Sequence, residues 1–313
     1  MQRGRKIDKE KLPPILQRYD DYLSIHYSPK TSCGRLYKLV ELNDFMKQER
    51  RKCLEQMTML DVEAYIAKLS KRKENKEIKQ RSIKFAGSII KMFSKWLVRV
   101  EIMSAAEFYK IEETIEELRG ERGEDNRVAL SEDEEERVLS KLTDILLQFI
   151  MWLGSNFGLR LQEYTNLLIE HVELQRARPT LKIELSKGHN AKTRRIPIKP
   201  GQAKQFERWL GLLASMKLPH KYLLYTPKNP SKRMTEPTLI YQFQKISKIT
   251  GEHVHSQKLR YTYAVRLWKN KVDLWVISLS LGHDKPETTV KYLKIREEEY
   301  YDRYVEETKG LFD

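Results

Sequence analysis

The chain has almost no cysteine. Cys33 and Cys53 are the only two in 313 residues, too few for a disulfide framework and in keeping with a reducing cytoplasm. No apolar run approaches the length of a membrane span, and the charged N-terminus lacks the apolar core of a signal peptide, so a soluble, internal protein with no membrane partner is expected. Internal repeats and low-complexity tracts are also missing. Metal ligands are scarce: His253 and His255 form a pair, but beyond Glu252 no Cys, Asp or Glu stands at ligand spacing, so a loop pair is the better reading and no metal is expected.

Positive charge is what the chain has in excess. It carries 59 Lys and Arg against 44 Asp and Glu, a net charge of +15 and a pI near 9.5, an electrostatic footprint for a polyanion such as double-stranded DNA. A hydrophobic content of 40% still permits a folded core, and the length suggests two domains. The charge is uneven. Residues 1–100 hold 24 basic and 12 acidic side chains, residues 101–140 hold 5 and 14, and residues 141–313 hold 30 and 18, so the nets are +12, −9 and +12. Two basic bodies joined by an acidic segment suggest a clamp, each half neutralising phosphates on one side of a duplex while DNA repels the joint. The expected division is residues 1–110, an acidic linker over 111–130 centred on Arg119 to Asn126, and residues 131–313.

The first body reads as all helical. Asp61 can cap a helix in which Val62, Tyr65, Ile66 and Leu69 share one face, and a later helix aligns Phe85, Ile89, Met92 and Trp96. Another side of that later helix carries Lys84, Lys91 and Lys95, a candidate DNA-contacting stripe whose bland reading is a solvated face. The last segment opens with a capping box, Ser131 and Glu134, ahead of Val138, Leu139 and Leu142.

The most specific signal lies in that last segment. In order come Gly158-Leu159-Arg160-Leu161-Gln162-Glu163, Ser186-Lys187-Gly188, Gln257-Lys258-Leu259-Arg260 and Leu281-Gly282-His283, with Tyr292 nine positions after His283 and Arg260 twenty-three before it. Singly, each is ordinary: a loop arginine, a turn lysine, a core tyrosine among Tyr300, Tyr301 and Tyr304. Together, in this order, they resemble the active site of tyrosine recombinases, the DNA strand-exchange enzymes that include phage integrases and Xer-type resolvases.

The chemistry asks for these residue types. Attack on a phosphodiester piles negative charge onto its non-bridging oxygens, and two guanidiniums that bond them bidentately stabilise that charge; Arg160 and Arg260 are the candidates. Tyr292 fits the nucleophile, on the expectation that a desolvated, electropositive pocket favours the phenolate and holds it in line with the phosphorus. Lys187 is the candidate proton donor to the departing 5′ oxygen, because it sits between strand-like runs at Leu181–Leu185 and Arg195–Ile198 as the family's hairpin lysine does. The resemblance further implies that His283 donates to the phosphate and that Glu163 braces the arginine loop. It implies a mainly α fold: a helical core-binding domain, then a mostly helical catalytic domain with a small antiparallel β-sheet.

One position departs from the family's pattern. Gln257 stands where the family writes His, or in some archaeal members Lys; glutamine can donate a hydrogen bond but cannot shuttle a proton or bring a charge. His255 and Lys258 are the nearest substitutes, although a helix beginning here turns both from the face that carries Gln257 and Arg260.

The expected activity is that of a site-specific DNA recombinase, an integrase of a mobile element or virus. Tyr292 forms a 3′-phosphotyrosyl bond that conserves the bond energy, so no cofactor is required. The resemblance implies four protomers on DNA, with the tail from Glu297 to Asp313 docking on a neighbour; a helix packed on its own domain is the alternative. A type IB-like topoisomerase and a non-catalytic DNA-binding relative are the rival functions, and Gln257 keeps the second alive.

Overall fold

A computed structural model describes residues 7–117, 127–184, 193–295 and 297–310. The chain divides into two units, residues 1–125 and 126–313. None of the described helices is long and apolar enough to cross a membrane.

Among its described residues the first unit has five α-helices: α1 (Pro14–His26), α2 (Pro29–Phe45), α3 (Met59–Glu74), α4 (Gln80–Arg99) and α5 (Ala105–Glu117). Their apolar stripes meet in one core containing Leu16, Tyr19, Leu39, Leu69, Phe93 and Leu97. Thr58 rather than Asp61 starts α3. Asp61 lies one turn in, where it accepts from the Thr58 backbone N–H at 3.0 Å, and Arg50 and Lys52 neutralise its buried carboxylate at 2.7 and 3.0 Å. On α4 the buried arc runs through Ile83, Ala86, Ile90, Phe93 and Leu97. Phe85 lies just beyond its edge and is 48% exposed, so the apolar face is rotated from the one expected. Ile111 and Ile115 of α5 are buried in the same core, which carries this unit past residue 110. The linker expected around Arg119 to Asn126 falls on residues 118–126, outside the described residues.

The second unit opens with α6 (Glu132–Ser140), capped as expected by Ser131 Oγ accepting from the Glu134 N–H at 3.1 Å and Glu134 accepting from Ser131 N–H at 2.8 Å. Next comes α7 (Ile145–Phe157), apolar almost all round and correspondingly buried at the centre. A short α8 (Leu161–Asn166) leads into an antiparallel sheet in the order β1 (Val172–Glu173), β2 (Thr180–Glu184), β3 (Thr193–Pro197). Leu181 pairs with Ile196 and Ile183 with Arg194, and these four side chains point inward. After α9 (Pro200–Met216) and a hairpin of β4 (Tyr225–Thr226) and β5 (Asn229–Arg233), the chain is helical: α10 (Glu236–Thr250), α11 (Ser256–Lys269), α12 (Leu274–Leu281), α13 (Pro286–Leu293) and α14 (Glu297–Thr308). The fold is mainly helical with small antiparallel sheets, as the sequence led us to expect.

The last helix lies on its own unit. Arg303 of α14 stacks over Trp268 of α11 with its guanidinium carbon 4.2 Å from the ring centre, its Nη2 donates to the Lys271 carbonyl at 3.2 Å, and Lys271 pairs with Glu306.

Candidate active site

Two left-handed glycines build the frame. Gly158 ends α7 at φ +57°, and a Cβ there would lie 2.5 Å from the Tyr263 ring; Gly282 ends α12 at φ +64°. A helix leaves its last carbonyls without internal partners and carries partial negative charge at that end. Three guanidiniums use this at α12: the Ser280 carbonyl accepts from Arg194 Nε at 2.8 Å, the Leu281 carbonyl from Arg260 Nη2, and the Gly282 carbonyl from Arg160 Nη2 at 3.2 Å. Arg260 also donates to the Gly158 carbonyl at 2.7 Å, across 102 positions of sequence.

Glu163 is the counter-charge at the centre. Its carboxylate accepts from the Arg160 N–H at 2.7 Å and Nη1 at 2.9 Å, and from Arg194 Nη1 and Nη2 at 2.7 and 2.8 Å. Burial alone would raise its pKa, but Arg194, Arg160 and Arg260 hold it down at about 2. One carboxylate against three arginines leaves an excess of positive charge. Arg260 is only 2% exposed, and burial, with Arg160 and Arg194 alongside, lowers its guanidinium to about 9, still protonated at neutral pH. The Arg160 side chain is 34% exposed and is the cation of this set most open to an arriving anion.

His283 follows Gly282 and faces Arg260, with Nε2 3.3 Å from Nη2 and Nδ1 2.8 Å from the buried Thr289 hydroxyl. Burial and the positive charges of Arg260, Arg160 and Arg194 push the imidazole down to about 4, so it is neutral at physiological pH. Tyr292, on α13, stands edge-on to His283 and to Tyr261, with ring centres 5.5 and 5.6 Å away, and Arg127 lies 4.8 Å over its ring. Its hydroxyl is buried without a hydrogen-bond partner among the described residues. Burial raises the phenol's pKa more than Arg260 and Arg127 lower it. This corrects the expectation that the pocket favours the phenolate: desolvation outweighs the nearby charges and the tyrosine is protonated.

Arg160, Glu163, Arg260, His283 and Tyr292 are thus brought together. Gln257 is exposed on the first turn of α11, one turn before Arg260, and its side chain makes no hydrogen bond among the described residues. His255 is the N-cap of α11, accepting from the Lys258 N–H at 3.2 Å, and Lys258 lies 4.0 Å from Glu252. Lys187 falls on residues 185–192, outside the described residues, on the connection between β2 and β3. Lys84, Lys91 and Lys95 share the side of α4 opposite its buried arc, but Lys91 is paired there with Glu112 and Glu116 of α5 at 2.5 and 3.1 Å.

The sequence reading missed Arg194 and Thr289. Arg194 had a readable signal, because strand alternation puts it on the same face as Ile196, and an inward arginine needs a buried carboxylate. Thr289 had none beyond lying between His283 and Tyr292.

Comparison with known proteins bears on what such a cluster is. A model of the phage integrase family matches residues 129–299, more than half of the chain. The chain belongs to this family. Every member of the cluster described above except Arg127 falls between Gly158 and Tyr292, well inside the matched phage integrase region; the α4 lysines fall outside it. Over 298 residues the chain is 26% identical to a tyrosine recombinase of Pseudothermotoga lettingae, covering 92% of this chain and 96% of that protein. Against the tyrosine recombinase XerA of Pyrococcus horikoshii it is 28% identical over 168 residues, covering 53% of this chain and 56% of that protein, so it spans little more than half of that relative's length. In fold it is similar to the Tn1549 transposon integrase in complex with transposon right end DNA, with a TM-score of 0.71, 14% identity and coverage of 95% and 99%. It is also similar to a lambda integrase dimer bound to a core site, with a TM-score of 0.68, 16% identity and coverage of 90% and 95%.

Proposed function

We propose that this phage integrase family member is a site-specific recombinase that cuts and rejoins double-stranded DNA through a 3′-phosphotyrosyl bond at Tyr292. The observation that carries the reading is the convergence of Arg160, Arg260 and His283 beside a phenol whose buried hydroxyl has no hydrogen-bond partner among the described residues, with one carboxylate bonded among three guanidiniums. Such a pocket has an excess of positive charge to offer an anion. A phosphate bonded by both arginines gains transition-state stabilisation where its oxygens gather charge, and its own charge is offset by theirs. His283, neutral, donates a hydrogen bond to a non-bridging oxygen, and Gln257 does so from the exposed turn. Glu163 holds Arg160 in place. Lys187, in sequence between β2 and β3, gives the proton to the departing 5′ oxygen.

The first unit contacts DNA through Lys84, Lys91 and Lys95, and the second carries the chemistry. Four copies assemble on two duplexes through their tails. The support for that assembly is α14, where Tyr301, Tyr304 and Val305 form an apolar stripe that is 58, 49 and 67% exposed.

The test is covalent capture. Wild-type protein incubated with a randomised pool of nicked duplexes should yield a protein–DNA adduct on a denaturing gel, and the captured duplex then serves as substrate. Tyr292→Phe should give no adduct while binding that duplex nearly as well. No adduct from the wild type, or an adduct that survives in Tyr292→Phe and is lost when Tyr300, Tyr301 or Tyr304 is replaced, overturns the reading. Relaxation of a supercoiled plasmid without strand exchange would assign the same chemistry to a type IB-like topoisomerase.

A further inference from the structure

The hydrogen bonds around His283 are one acceptor short. A neutral imidazole has one N–H and one bare nitrogen, a guanidinium only donates, and a hydroxyl does both. If Nε2 accepts from Arg260, then Nδ1–H donates to Thr289, and the threonine's own hydrogen has nowhere to go: Thr289 is 0% exposed, and His283 is its hydroxyl's one partner among the described residues. If Thr289 donates to Nδ1 instead, Nε2–H faces the Arg260 N–H and two donors oppose each other at 3.3 Å. Either way one buried hydrogen is stranded, which is costly. Arg160, Arg194 and Asp284 also act on the ring's charge; the two arginines can only donate, and the Thr289 hydroxyl makes no hydrogen bond to Asp284 among the described residues.

We propose that Thr289 is a positioning residue that sets the tautomer of His283, switching it from the Nδ1–H form in the free protein to the Nε2–H form when a DNA phosphate oxygen lies against Arg260. The inference rests on the site being the phosphate-cleaving site argued above. With the oxygen in place, Arg260 Nη2 and His283 Nε2–H both donate to it, while the Thr289 hydroxyl turns and donates to Nδ1. Protons balance: Nδ1 gives one to solvent, Nε2 takes one from solvent, and the net charge of the ring stays zero. Every donor then has an acceptor. Thr289 also lies three positions before Tyr292 on α13, so the group that aims His283 is fixed to the helix that carries the nucleophile. Only a residue whose side chain can both accept and donate serves both states. Serine keeps that ability; valine keeps the shape of threonine and loses it.

The experiment reads the tautomer and the rate separately. Imidazole 15N NMR of full-length protein, with Tyr292→Phe to prevent cleavage, should show His283 with Nδ1 protonated alone and Nε2 protonated once the captured nicked duplex is bound. In single-turnover cleavage of that duplex, Thr289→Val should be about tenfold slower, the weight of one hydrogen bond to a charged acceptor, with affinity for the duplex unchanged, and Thr289→Ser should restore most of the rate. A His283 ring in the same tautomer with and without DNA overturns the proposal, as does a Thr289→Val protein that cleaves at the wild-type rate. A Thr289→Val protein that unfolds leaves the wild-type spectra and Thr289→Ser to decide. Absence of any adduct from the wild type would instead sink the functional reading on which the inference stands.

Discussion

Arg194 and Glu163 meet through two parallel hydrogen bonds of 2.7 and 2.8 Å, one per carboxylate oxygen, with side-chain exposures of 8 and 3%. A buried pair of this kind contributes little when compared with an apolar pair, but removing one partner strands the other in a low dielectric. Arg194→Ala should therefore destabilise the second unit by roughly 3–5 kcal/mol, far more than Arg160→Ala, whose side chain is 34% exposed and leaves Glu163 with Arg194 still in place. Denaturant midpoints of the two variants check the order; equal losses would show that the arginines share Glu163 evenly.

The same carboxylate fixes a pH dependence. Its folded pKa of about 2 lies below the ordinary carboxylate range, so the folded state binds its proton more weakly than the unfolded chain does. The stability it contributes is fully present above about pH 4.5 and is lost as pH falls toward 2. Wild-type stability should fall across that window, and the gap between wild type and Glu163→Gln should narrow, because the variant has no proton to take up. A gap that stays constant from pH 5 to pH 2 would place the acid sensitivity elsewhere.

The motif residues were legible in the sequence because phosphoryl chemistry restricts which side chains can serve and the family's order restricts where. Arg160, Glu163, Arg260, His283 and Tyr292 do converge. What could not be read was the frame. The three carbonyls at the end of α12 that hold three arginines are backbone atoms, and any sequence ending a helix with glycine supplies them. The balance that keeps Tyr292 protonated depends on burial, which spacing does not reveal. Asp61 looked like a cap because acidic residues favour helix starts, yet Thr58, three positions earlier, takes that place and Asp61 answers from the third helical position. The face of α4 was misjudged by about one position, enough to expose Phe85.

The lysines of α4 should differ in weight. Each phosphate-binding lysine replaced by alanine lowers the slope of log affinity against log salt by roughly one unit. Lys91 is already bonded by Glu112 and Glu116, so its charge is partly spent within the protein. Lys95→Ala should flatten the salt dependence more than Lys91→Ala, and Glu112→Gln with Glu116→Gln should steepen it. Identical slopes for every variant would show that this face of α4 does not meet DNA.

Gln257 offers the sharpest test of how the site works without the family's usual residue. It lies one turn before Arg260 on α11, exposed and with its side chain unpartnered among the described residues, so it has no hydrogen bond there to give up to a phosphate. Gln257→His should preserve cleavage or speed it, since imidazole can donate the same bond. Gln257→Ala should slow cleavage on the order of 10²-fold, the weight of one donor to a developing oxyanion, and leave binding of the captured duplex nearly unchanged. Arg260→Ala should be worse than either, because it deletes a charge and also frees the carbonyls of Gly158 and Leu281. His255 is occupied in capping α11 and Lys258 is turned toward Glu252, so replacing either should have little effect on the chemical step. Single-turnover rates for the variants decide the matter: a Gln257→Ala protein at the wild-type rate beside an inactive His255→Ala or Lys258→Ala protein would move the role to the neighbouring residue.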